Sequence, residues 1–232
     1  MLDHDDYMPT FVHITEAKKA DVKIIPMIKL NPNSIIVVDR AYNDYAQFSL
    51  WTKQGVYFVI RQKDNAIFET VEKREIPQNR NIISDDIIQL TGFNSKNKCP
   101  ESLRRIVVWD EENQREIVLL TNHFDFGSTT ISKIYKDRWK IELFFKALKQ
   151  NLKVKTFIGT TENALASQIW TALIGILLLK WMHHLSKASW SFSNLASMLR
   201  LNLFTYRALM EWLHNPFGTP PIRPEQEQLC LF

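Results

Sequence analysis

Hydrophobic and polar positions change rhythm twice along this 232-residue chain, dividing it into three stretches. In the first, Ile35-Ile36-Val37-Val38 is an unbroken β-branched run that ends on Asp39, the pattern of a strand covered on both faces. Upstream, a turn at His4-Asp5-Asp6-Tyr7 leads into a predicted strand over 8–15, then a short helical segment near 17–25. Pro26 and the cluster Asn31-Pro32-Asn33-Ser34 end that segment. Downstream, 42–51 predicts a helix and 56–61 the next strand. From 62 to 122 the pattern holds strands alone, at 66–72, 82–90, 105–109 and 115–121, with Asp110-Glu111-Glu112-Asn113-Gln114 as a hairpin loop. The third stretch is helical: one helix capped near Ser128 and running beyond Lys149, a second over 162–184 and a third over 193–214. A tail with Pro216, Pro220, Pro221 and Pro224 is expected to be extended.

The alternation predicts a mixed α/β chain with a partial core over 1–61, a β-rich insertion over 62–122 and a helical segment over 123–232. Composition narrows this little: 45% apolar residues and seven tryptophans exclude a disordered chain. Cys99 and Cys230 are too few and too distant for a disulfide framework or zinc site. The apolar stretch 164–179 carries Ser167, Gln168 and Thr171 and is short for a membrane span. It predicts a buried core helix, no membrane association and a cytoplasmic protein.

Charge becomes informative only locally. The net +4 is mild, but between Lys133 and Lys155 eight Lys/Arg face only Asp137 and Glu142, a patch suited to a polyanion. Within it, Tyr135, Arg138, Glu142 and Lys149 fall on one helical strip: at ~100° per residue the last three lie about 60°, 20° and 40° behind the first. The adjoining flank carries Ile134, Ile141, Phe144, Phe145, Leu148 and Leu152, an apolar face for burial. One carboxylate among Tyr, Arg and Lys suits a place where a metal and a phosphate meet. An i,i+4 Arg–Glu pair is also an ordinary solvated helix face. Asp39, ending a strand where α/β sheets build their sites, reads equally as a helix cap or a site residue. Asp3, Asp5, Asp6, Asp85-Asp86 and the acids of 110–112 read as solvated turn residues, and Arg104-Arg105 as exposed strand charges.

The string Ile134-Tyr135-Lys136-Asp137-Arg138-Trp139-Lys140-Ile141-Glu142-Leu143-Phe144-Phe145-Lys146 closely resembles the Y-R-E-K signature of bacterial insertion-sequence transposases of the DDE type. Asp39-Arg40-Ala41-Tyr42-Asn43-Asp44-Tyr45 resembles the segment carrying their second aspartate. The resemblance implies a ribonuclease-H-like core interrupted by a β-rich insertion, with Asp39 and Glu142 as the second and third of three metal-holding carboxylates. It implies Mg2+ or Mn2+ as cofactor, DNA (element ends and target) as partner, and an oligomer on DNA. Tyr135, Arg138 and Lys149 would bind DNA phosphates and Trp139 would stack on a base. The strand carrying the first aspartate is expected upstream of the opening hairpin, so the chain reads as an incomplete copy. The alternative is a catalytically inactive DNA-binding or assembly fragment.

Overall fold

The computed structural model describes residues 1–5, 7–14, 21–78, 80–152, 159, 161–205 and 207–219, with 21–23 by backbone alone. These divide into two compact units, Met1–Glu142 and Leu143–Phe232.

Six strands form one sheet in the first unit: β1 (Ile35–Val38), β2 (Tyr57–Arg61), β3 (Phe68–Lys73), β4 (Ile82–Leu90), β5 (Leu103–Asp110) and β6 (Arg115–Thr121), in the order β1-β2-β6-β5-β4-β3. β1 and β2 are parallel, with Ile36 opposite Phe58; every other pairing is antiparallel. The parallel pair requires a crossover, supplied by α1 (Tyr45–Lys53). The strands of 62–122 thus continue the sheet begun by β1 and β2. Alternation along β2 and β6 sorts side chains to opposite faces. Phe58, Ile60 and Leu120 join Phe48 and Trp51 of α1 in one core. Val59 and Leu119 join Ile106, Val108 and Ile131 in the other, under α3 (Ser128–Asp137). Asn122, 6% exposed, closes the β6 end. Its Oδ1 accepts from Phe58 N at 2.9 Å, and its Nδ2 donates to Val56 O and Thr52 Oγ1, both at 2.9 Å.

Several expectations need correction. Residues 8–14 hold no strand, only the isolated bridge Leu2–Pro9; residues 15–20 lie outside the described set. Pro26 sits inside a 3-10 segment, Asp21–Met27, rather than ending it. β1 buries Ile36 alone and leaves its neighbours half-buried, because it lies at the edge of the sheet. A short helix, α2 (Phe93–Lys98), was not expected. The expected signature helix is two helices, α3 and α4 (Lys140–Asn151). Between them the bonds Arg138 N to Tyr135 O (3.1 Å) and Glu142 N to Trp139 O (3.0 Å) tighten the chain to i→i−3 spacing.

In the second unit, α5 (Glu162–Leu185) is long and apolar enough to cross a membrane by length and composition. Ala172, Leu173, Ile176 and Leu179 are buried, whereas Trp170, Ile174, Leu178 and Trp181 are exposed. The expected buried core helix is thus buried on one face and exposed on the other. The expected single helix over 193–214 is α6 (Phe192–Asn202) and α7 (Leu209–His214). Leu195, Trp212 and Leu213 pack there with Met182 and Trp190. The proline tail beyond Thr219 lies outside the described residues, as do Lys153, Lys155 and Cys230.

Candidate active site

β1 delivers Asp39 to the carboxyl end of the parallel pair, and the backbone there makes a 3-10 turn, Arg40–Tyr42. Asp39 Oδ1 accepts from Arg40 N at 2.6 Å, so the carboxylate caps this turn. Asn43 Nδ2 donates to Arg40 O at 3.3 Å and to Arg61 O at 2.8 Å, tying the turn to the end of β2. Asp39 Oδ2 remains directed at Arg138.

On the other side, Ile131, Ile134 and Tyr135 pack α3 against the face formed by Val59 and Ile35. The tightened junction then presents Arg138 and Glu142 together. Arg138 Nη1 lies 3.5 Å from Asp39 Oδ2 and 3.4 Å from Glu142 Oε1. Both contacts are longer than the roughly 2.7–2.9 Å of charge-assisted hydrogen bonds, so attraction here is mainly between charges. Arg138 Nε is buried and has no hydrogen-bond partner. The guanidinium carbon sits 5.8 Å from the Tyr135 ring centroid. Burial pushes the Tyr135 hydroxyl's pKa up; Arg138 opposes this shift and the charge on Asp39 adds to it. That phenol keeps its proton and stays a donor.

Of the residues singled out in the sequence, Asp39, Tyr135, Arg138 and Glu142 converge within the first unit. Trp139, on the same junction, is 55% exposed. Lys149 is exposed on α4 in the second unit. One oxygen of each carboxylate faces Arg138 Nη1, and carboxylate oxygen is the donor chemistry that suits Mg2+ or Mn2+. Among the described residues no third acid, His or Cys completes a metal-sized group. Asp3 and Asp5 are exposed, in keeping with turn acids.

Two further features escaped sequence reading. His4 Nε2 lies 3.1 Å from Asp137 Oδ2, and Lys140 Nζ lies 2.9 Å from Asp137 Oδ1. Lys140 also donates to the Tyr7 hydroxyl, so the opening hairpin is fastened to the α3–α4 junction. Asp85 and Arg104, expected to be solvated, are 3% and 1% exposed. They form a two-point ion pair: Nε to Oδ1 at 2.8 Å and Nη2 to Oδ2 at 2.6 Å. Arg104 Nη1 also donates to the carbonyls of His123 (3.2 Å), Phe124 (3.3 Å) and Phe126 (2.5 Å). The only sequence signal was charge inside two apolar strands. A cavity of about 370 Å³ beside this pair, lined by Arg74, Phe126 and Ser128 among others, includes neither Asp39 nor Glu142.

Residues 1–178 match the family model described as "Transposase DDE domain". Over 158 residues, 68% of this chain, the sequence is 34% identical to the probable transposase for insertion sequence element IS5377 of Geobacillus stearothermophilus. It is 28% identical over 97% of its length to a Sinorhizobium fredii protein carrying the transposase designation y4zB. A third relative, with 32% identity over 64% of the chain, is named for insertion sequence element IS4SA of Synechocystis. The matched regions span 41%, 63% and 41% of these relatives.

Proposed function

The chain belongs to the transposase DDE domain family, and from that membership we propose that it carries the DNA-cleaving and strand-joining site of an insertion-sequence transposase. Transposases of this family generally depend on a divalent metal, which activates water or a DNA 3′-hydroxyl and stabilises the leaving oxygen when bound. We take Asp39 and Glu142, the second and third of three carboxylates, as the residues here that hold Mg2+ or Mn2+. Tyr135, Arg138, Glu142 and Lys149 are read as the Y-R-E-K signature, and the sheet as a ribonuclease-H-like core (1–61) interrupted by a β-rich insertion (62–122) before the helical segment (123–232).

One observation carries the proposal. Asp39 and Arg138, 99 positions apart, meet, and the same guanidinium nitrogen faces Glu142. The remaining roles follow from chemistry. Tyr135, protonated, donates to a phosphate oxygen beside the break. Arg138 and Lys149 bind phosphate charge. Trp139, exposed, offers a face for base stacking. DNA, both element end and target, is the partner, in an oligomer assembled on it within the cytoplasm.

The test is nicking of supercoiled plasmid by the purified chain with Mn2+. The expected result is metal-dependent nicking that Asp39→Asn and Glu142→Gln each abolish. Nicking that survives both substitutions overturns the catalytic assignment. No nicking by the unsubstituted chain, with salt-sensitive DNA binding retained, favours a non-catalytic DNA-binding or assembly fragment; among the described residues no third acid joins the pair.

A further inference from the structure

We infer that Arg138 is the internal counter-ion of the two acids. It stands between Asp39 and Glu142 until a divalent cation takes both carboxylates, and is then released to bind DNA phosphate. The inference rests on the metal-holding role proposed for that pair and adds a coupling between metal and DNA.

Three observations support it. First, a single nitrogen faces both acids, at 3.5 and 3.4 Å. Two carboxylates brought together without a cation repel each other, and the guanidinium relieves that repulsion. Second, the hold is loose. Arg104 grips Asp85 through two nitrogens at 2.8 and 2.6 Å with both side chains 2% exposed. Arg138 has no such two-point grip, and its partners are 49% and 44% exposed. Third, Arg138 Nε is buried without a partner, a donor left unmet that a different position of the side chain can satisfy. A compact divalent ion binds carboxylate oxygen at about 2.0–2.1 Å (Mg2+). It neutralises the pair better than one charge at these distances.

The consequence is reciprocal: metal frees a phosphate-binding group, and phosphate draws Arg138 off the carboxylates. Calorimetry with Mn2+ alone, on the full chain, tests it. Arg138→Gln should bind Mn2+ about tenfold more tightly than the unsubstituted chain, within the usual range of such couplings. Arg138→Lys should fall between them, and Asp39→Asn and Glu142→Gln should lose saturable binding. If Arg138→Gln binds Mn2+ equally or more weakly while Asp39→Asn still abolishes binding, the counter-ion role is overturned and the metal-holding pair stands. If neither the unsubstituted chain nor Arg138→Gln binds Mn2+ saturably, both ideas are overturned. A second readout is the slope of log DNA affinity against log salt. Mn2+ should steepen it by about 0.9 in the unsubstituted chain and leave Arg138→Gln unchanged; an unchanged slope in both overturns the release of Arg138.

Discussion

Replacing Arg104 by Met, which is similar in length and carries no charge, strands the Asp85 carboxylate in a site 3% exposed. It also removes the shared donor from the carbonyls of His123, Phe124 and Phe126. Breaking a buried pair by removing one partner costs about 3–5 kcal/mol, because the remaining charge is uncompensated. Asp85→Leu leaves the guanidinium buried with its carbonyl acceptors and should cost about as much. In Asp85→Leu/Arg104→Met no charge is stranded. The residual penalty is that of unmet carbonyls, on the order of 1–3 kcal/mol, eased because Arg74 Nη1 still donates to Phe124 O at 2.7 Å. The double variant should therefore be no less stable than the milder single variant, with a coupling of at least about 3 kcal/mol. Urea unfolding followed by circular dichroism gives the losses. Hydrogen exchange in β4, β5 and the first turn of α3 locates them. Additive losses, or a loss below about 1 kcal/mol for either single variant, would refute the reasoning.

Trp139 is 55% exposed, so Trp139→Ala should change stability by no more than about 0.5 kcal/mol yet weaken DNA binding by about 1–3 kcal/mol if the ring stacks on a base. A large fall in melting temperature with binding intact would count against that role. The His4 ring is held above its ordinary pKa of 6.5, first by Asp137 and then by Asp5. Its contribution to holding the hairpin is thus complete below 6.5 and is lost as pH rises through the raised value. Lys140 and His4 pull Asp137 below its ordinary 3.8, so its contribution is present above that value and lost as pH falls through the lowered one. Titration of the His4 ring by NMR should show a return toward 6.5 in Asp137→Asn; an identical curve in both proteins would dismiss the contact.

Where period and length agreed, the sequence was legible. β4 and β6 occupy 82–90 and 115–121 as read, because their apolar runs are bounded by polar turns. The α2 segment, Phe93-Asn94-Ser95-Lys96-Asn97-Lys98, has no helical apolar period, and its neighbours in the fold decide its form. The breaks in the helices expected from near Ser128 to beyond Lys149 and over 193–214 were invisible because neither junction contains Pro or Gly. At the first junction Asp137 pairs with Lys140 at i,i+3, a spacing that the tightened turn favours. Apolarity all round α5 carried no information about which face would be covered. The charges of Asp85 and Arg104 were misread because strand residues 19 positions apart announce no pairing.

Asp39 shows a different kind of limit. Position alone left it divided between helix cap and site residue, and the division assumed that one role excludes the other. A carboxylate has two oxygens, each an acceptor. Oδ1 is committed to Arg40 N at 2.6 Å, which fixes the side-chain torsion and leaves Oδ2 facing Arg138. The cap therefore supplies the orientation that a charge-pairing oxygen needs, and the Asp39 side chain is 49% exposed. Glu142 has no such brace in the described structure beyond Arg138. The two acids differ accordingly: Asp39 is held by the backbone that follows it, whereas Glu142 depends on the turn that joins α3 to α4. Any change that straightens that turn acts on Glu142 and Arg138 while leaving Asp39 in place.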